Sequence, residues 1–195
     1  MTLSAAFLRV DLFPERMEGG WASHPLDRGR RTRYGISGAA HPEVDLETLT
    51  LEGAREIRHR CYWLPIRGDE LPWPVSLAVY DWCIHSADPR FASWVEKELQ
   101  RLVGAVPDGE IGPATIDAVH RSCARSGSFS LADRVLELRT DAWDRGFKLG
   151  LFAPAVIGGV EYRQGNPIRV AAGLWCHKGF INRARQLAHE FHTEA

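Results

Sequence analysis

The stretch "EGGWASHPLDRGRRTRYGIS", residues 18–37, joins two different kinds of chain. Its front half ends a helix: Glu18 closes a helically spaced apolar run, and Gly19 and Gly20 supply the backbone freedom that stops one. Its back half, "TRYGIS" at residues 32–37, alternates as a strand does and contains a turn-forming glycine. Between them lie Asp27 and three arginines, Arg28, Arg30 and Arg31. A helix that delivers one carboxyl to a loop holding a second, backed by a short ribbon, predicts a mainly α fold with a small β-hairpin or three-stranded ribbon near residues 25–40.

Outward from this stretch the chain reads as helix. Upstream, Leu3, Ala6, Phe7, Val10 and Phe13 keep a helical period, with Pro14 as an interruption before the helix resumes towards Glu18. Downstream, Leu51, Ala54, Ile57 and Cys61 line one helix; Val75, Ala78, Val79 and Trp82 a second; Phe91, Val95, Leu99 and Leu102 a third. Another carries Leu131, Val135, Leu138 and Ala142, opened by Ser130 with Asp133 at capping-box spacing. The last runs through Leu174, Ile181 and Leu187. Pro74, Pro89, Pro113 and Pro167 mark helix starts. "VGAVPDGEIGPATIDAV" sets turn residues between two helical patterns, a natural seam. No other segment reads as strand.

Composition narrows the function classes. The 195 residues, 45% of them hydrophobic, suffice for one well-buried core or two small packed halves. A formal net charge of −1 argues against duplex nucleic acid as the partner. No apolar run approaches the ~20 residues a membrane-spanning helix needs. The N-terminus lacks a charged region ahead of its apolar residues and is broken by Arg9, Asp11 and Pro14, so it does not read as a cleavable signal. Cys61, Cys83, Cys123 and Cys176 show no metal-binding spacing and are expected as reduced, half-buried thiols. The "HEFH" of the tail is not a zinc motif, and Cys83 and His85 point apart on a helix, so neither metal nor thiol chemistry is expected.

The two carboxyls carry the chemistry. Glu18 leaves from the apolar side of its helix, where desolvation raises a carboxyl pKa and keeps a proton available near neutrality. Asp27 sits among arginines, which favour its charged form. Acids pushed towards opposite protonation states suit glycoside cleavage: one protonates the leaving oxygen, the other orients water or stabilises charge at the sugar carbon. Thr32 and Tyr34 add hydroxyls for water or sugar. Spacing alone favours a helix cap with Gly19 and Gly20 followed by a solvated Asp/Arg loop, since two acids nine positions apart are common.

The ordered run resembles the signature of glycoside hydrolase family 108: EGG, a short loop ending in Asp, a glycine-containing turn, then T-x-x-G-I. The resemblance implies a lysozyme-like α+β fold, Glu18 as the catalytic acid, and the roles of the loop Asp and following Thr on Asp27 and Thr32. It continues through "LTLEGAREIRHRCYWLP", with the Tyr62–Trp63 pair, and "VSLAVYDWCIHSAD", which sets Asp81 and His85 one helical turn apart. "DGEIGPATIDAV" and "CHKGFINRARQLA" resemble the ends of a C-terminal peptidoglycan-binding module. Departures are Gly29-Arg30 in place of a Gly-Gly turn, His24 before Pro25 in place of an acid or amide, and His85 in place of Asn.

The expectation is a lysozyme-like N-acetylmuramidase that cuts the β-1,4 bond between N-acetylmuramic acid and N-acetylglucosamine. Glu18, Asp27 and Thr32 are its catalytic residues; Tyr34, Tyr62, Trp63, Asp81 and His85 meet the glycan; no metal or organic cofactor is needed. Residues 1–90 form the catalytic region, 91–188 a helical module packed on it, and 189–195 a tail. Peptidoglycan strands are the partner, with a holin or export system releasing a monomer to the periplasm. A lytic transglycosylase and a catalytically silent wall-binding protein are the alternatives.

Overall fold

In the computed structural model the described residues are 2–18, 20–23, 31–86, 93–148, 156–157, 160–161, 181–191 and 193. The first helix, α1, spans Ala5–Glu18 and is capped by Ser4, whose Oγ accepts from the Phe7 N–H at 3.1 Å. It runs straight through Pro14, where an interruption was expected. A proline removes one backbone bond, and the buried stripe of Phe7, Val10 and Phe13 outweighs that loss.

After α1 come β1 (Trp21–Ser23), β2 (Arg31–Arg33) and β3 (Ile36–Ser37), an antiparallel ribbon in that order. Trp21 faces Arg33 and Ala22 faces Thr32 in the first pair; Thr32 faces Ser37 and Arg33 faces Ile36 in the second. The β2–β3 connection is the two-residue turn Tyr34-Gly35, both at positive φ (50° and 77°), the handedness that matches strand twist. The expected ribbon is therefore present.

Helix α2 (Leu51–Arg58) is capped by Thr50, whose side chain accepts from the Gly53 N–H at 3.1 Å. The apolar period of α2 predicts an α-helix continuing through Cys61. Instead the chain widens into a π-turn over His59–Trp63, which carries Tyr62 and Trp63 into the interior. A 3-10 turn, Gly68–Glu70, follows and lies flat on the Trp63 indole. Helix α3 (Val75–Ser86) begins just after Pro74. The next helix, α4, spans Trp94–Val103; Pro89 and Phe91, expected within it, lie outside the described residues.

Gln100 ties down the loop after α4: its Nε2 donates to Asp108 Oδ1 at 2.6 Å and to the Glu110 carbonyl, and its Oε1 accepts from the Gly109 N–H. Helix α5 (Pro113–Ser126) has proline at its first turn, as expected. Helix α6 (Ser128–Lys148) starts directly after Gly127, two residues before the Ser130 cap read from the sequence. A second ribbon, β4 (Val156–Ile157) with β5 (Val160–Glu161), was not expected, since two-residue strands are too short to display an alternating pattern. A final helix, α7, covers residues 181–191.

The fold is thus mainly helical with small antiparallel ribbons. One large core runs from Phe7 on α1 through Trp63, Tyr80, Trp82, Leu99 and Leu131 to Phe191 on α7. A smaller one, Ile36, Leu46, Leu49, Ala54 and Ile57, seats β3 on α2. Among the described residues no helix is long and apolar enough to cross a membrane. The division expected at residues 90 and 91 falls outside the described residues.

Candidate active site

The residues expected to form the site begin where α1 hands over to the ribbon. Glu18 is the last residue of α1, and two positions later the Gly20 carbonyl accepts from the Tyr34 N–H at 2.9 Å. That bond closes the ribbon against the helix end. Thr32, two residues back along β2 from Tyr34, is buried and shares its ribbon face with Ser37. The Glu18 side chain and the whole of residues 24–30, with His24, Asp27, Gly29 and Arg30, lie outside the described residues.

A buried ionic clamp fixes this junction from beneath. Asp11 on α1 accepts from Arg58 through both oxygens, Nε to Oδ1 and Nη2 to Oδ2, each at 2.7 Å. Tyr80 of α3 donates a third bond to Oδ1 at 2.6 Å. The remaining Arg58 nitrogen, Nη1, donates to the Tyr34 carbonyl. One guanidinium therefore connects the helix that ends in Glu18 to the left-handed turn beside Thr32. Burial pulls the Arg58 pKa down, but its bonds and charge contact with Asp11 outweigh that and raise it; burial and the Asp11 charge push the Tyr80 hydroxyl well above its usual value. The Arg58 guanidinium therefore stays charged throughout the physiological range.

Of the remaining expected glycan contacts, Tyr62, Trp63 and Asp81 are interior and His85 is half-buried. Tyr62 is buried, its hydroxyl 2.9 Å from His41 Nε2, so it joins the π-turn to the loop after β3. Trp63 is fully buried, edge-on to Phe7 and Tyr80. Asp81 is fully buried on α3 and accepts from Arg139 of α6 at 2.7 Å and from Arg183 of α7 at 3.1 Å. Desolvation opposes its charge, but the two guanidiniums win and hold its carboxyl well below the usual range. Arg139, desolvated, is pulled down to about 10. One turn on, His85 stands edge-on to Trp143; burial first, then the Arg183 and Arg139 charges, push its imidazole well below the ordinary value. The structure brings the backbone end of α1, Thr32 and Tyr34 to one junction, while Trp63 and Asp81 are packed in the interior and His85 is half-buried against Trp143.

Sequence reasoning missed the clamp and the Arg139–Asp81–Arg183 triad, yet their signal was present. Asp11 stands four residues after Phe7, Arg58 four after Ala54 and Arg139 four after Val135, each a charge on an apolar stripe. Among the described residues Cys61, Cys83 and Cys123 are free thiols, and burial raises the Cys83 pKa well above its usual value, which suppresses the nucleophilic thiolate. The described residues contain no group of three potential metal ligands.

Residues 15–86 match the glycosyl hydrolase 108 family model. The matched segment opens inside α1, takes in the ribbon and the clamp, and closes at the end of α3. The match is to a glycosyl hydrolase family and lies in the N-terminal part of the chain. The likeness to a solved structure extends further: SagA of Brucella abortus is 26% identical, with a TM-score of 0.66, over 96% of this chain and 95% of that one. No curated protein matches the chain. The segment that matches the glycosyl hydrolase 108 model thus sits within a fold similar to that of SagA along nearly the full length of the chain.

Proposed function

We propose that the protein is a peptidoglycan hydrolase of the lysozyme type, an N-acetylmuramidase that cleaves the β-1,4 bond between N-acetylmuramic acid and N-acetylglucosamine. The observation that carries this reading is the family match over residues 15–86, which contains Glu18, Asp27 and Thr32 in order. Glu18, delivered by the end of α1, donates its proton to the bridging oxygen as the bond to the muramic anomeric carbon breaks. Asp27 and Thr32 orient the water that attacks that carbon, and Asp27, ionised among arginines, stabilises the positive charge developing there. Tyr34 lines the sugar path at the turn. Tyr62, Trp63, Asp81 and His85 act from behind the site by holding helices and ribbon in register.

The segment 91–188 holds the glycan strand to the enzyme, and a holin or export system delivers the protein to the periplasm, where it works. The deciding experiment is digestion of purified peptidoglycan by the protein and by Glu18→Gln, with products identified by mass spectrometry. The expected result is reducing muramic acid ends from the parent and, for Glu18→Gln, a loss on the order of 100- to 10,000-fold, the range for a missing general acid. Anhydro-muramic ends would make the enzyme a lytic transglycosylase. Wall binding without any cleavage would make it a binding protein.

A further inference from the structure

The two faces of the ribbon differ. Thr32 is buried on one; Trp21, Arg31 and Arg33 occupy the other, because cross-strand partners and second neighbours share a face. Trp21 has 48% of its surface exposed, unusual for an indole. The guanidinium carbons of Arg31 and Arg33 lie 4.9 and 5.2 Å from its ring. Arg33 is rigid: its Nη1 donates to the Leu46 carbonyl at 2.8 Å and to that of Glu47, and it also lies over the Tyr34 ring. It makes no ion pair among the described residues. Arg31 pairs with Glu47, but both side chains are more than half exposed, so the pair is weak and readily exchanged. The patch is a fixed aromatic plate with net positive charge at the edge of the sheet.

We infer that Trp21, with Arg31 and Arg33, forms an accessory glycan-binding platform on the ribbon face opposite Thr32, for a polysaccharide that carries carboxylates. The indole stacks on the apolar face of a pyranose, and Arg31 exchanges Glu47 for a carboxylate of the strand. This rests on the proposed substrate, whose lactyl groups and peptide stems supply such carboxylates. Bound there, a strand is held to the protein while a separate stretch of glycan enters the site.

The test is pelleting with insoluble peptidoglycan in a Glu18→Gln background, so that no digestion occurs. Trp21→Ala should weaken binding about tenfold, the size of one lost aromatic contact. Trp21→Phe should recover most of it. Arg31→Gln, which leaves the ring and the fold intact, should weaken binding at low salt and little at high salt. Binding unchanged by both Trp21→Ala and Arg31→Gln, or no pelleting by the background protein, overturns the inference. If the unsubstituted enzyme cleaves no glycan while these variants still lose binding, the hydrolase reading fails and the platform stands.

Discussion

At single residues, stability is set by what cannot be accommodated. A Cβ on Gly68 would lie 2.2 Å from the Cδ2 of Trp63, and that indole is fully buried against Phe7 and Tyr80 with nowhere to retreat. Gly68→Ala should therefore cost about 2–3 kcal/mol by overpacking, read from urea unfolding, and the loss should shrink when Trp63 is also reduced to Leu. An undiminished loss in the double variant would assign the effect to the backbone. Glu96 presents the opposite case, an acid on α4 that is buried with no hydrogen-bond partner for Oε2 among the described residues. Desolvation raises its pKa. A raised acid stabilises the fold fully below its unfolded pKa, and that contribution is lost as pH rises through the folded value. Glu96→Gln, which does not titrate, should therefore gain on the parent as pH rises from 4 to 7, reaching on the order of 1 kcal/mol at neutrality. A gap that stays constant between the two urea midpoints would refute this.

At the scale of elements, the Asp11–Arg58–Tyr80 clamp performs two separable tasks. Arg58→Met strips the buried Asp11 carboxylate of its bidentate partner and leaves it only the Tyr80 hydroxyl and the more distant Arg55, a loss of about 3 kcal/mol. Replacing the pair together, Asp11→Leu with Arg58→Met, should restore much of that stability. It should not restore glycan cleavage, because the Tyr34 carbonyl still lacks the donor that fixes the turn beside Thr32. Turbidity loss of wall suspensions by a stable double variant at the parent rate would show that the clamp is only structural. Helices with a clean apolar stripe were legible in the sequence, as were the ribbon and its Tyr34-Gly35 turn. Pro14 misled because burial of its neighbours outweighs one missing hydrogen bond. The π-turn was invisible because a single extra residue in a helical turn changes no residue preference while it rotates every later side chain. That rotation turns Tyr62 and Trp63 inward, where an aromatic pair read from sequence alone suggests a sugar platform. Trp21, an aromatic on the exposed outer face, was passed over because its exposure depends on ribbon register and on which strand forms the edge.

At the scale of the whole molecule, the question is whether the chain unfolds as one body. The large core has contributions from α1 at one end of the chain and α7 at the other, with Leu187 and Phe191 fully buried. Arg183 of α7 reaches Asp81 of α3, and Arg139 of α6 meets the same carboxylate, so three helices far apart in sequence share one buried charge. Such sharing makes local opening expensive: lifting α7 exposes two large apolar side chains and removes a cation from a carboxylate that has no water to replace it. The apolar part alone is about 3–6 kcal/mol, a large share of the 5–15 kcal/mol that holds a domain together. A chain ending at residue 180 should therefore lose cooperative folding rather than only a peripheral helix. In calorimetry the full chain should show a single transition whose van't Hoff and calorimetric enthalpies agree. Two resolved transitions, or a truncated chain that melts as sharply as the parent, would mean that the segment matched by the hydrolase family carries its own stability and that α7 is an ornament on it.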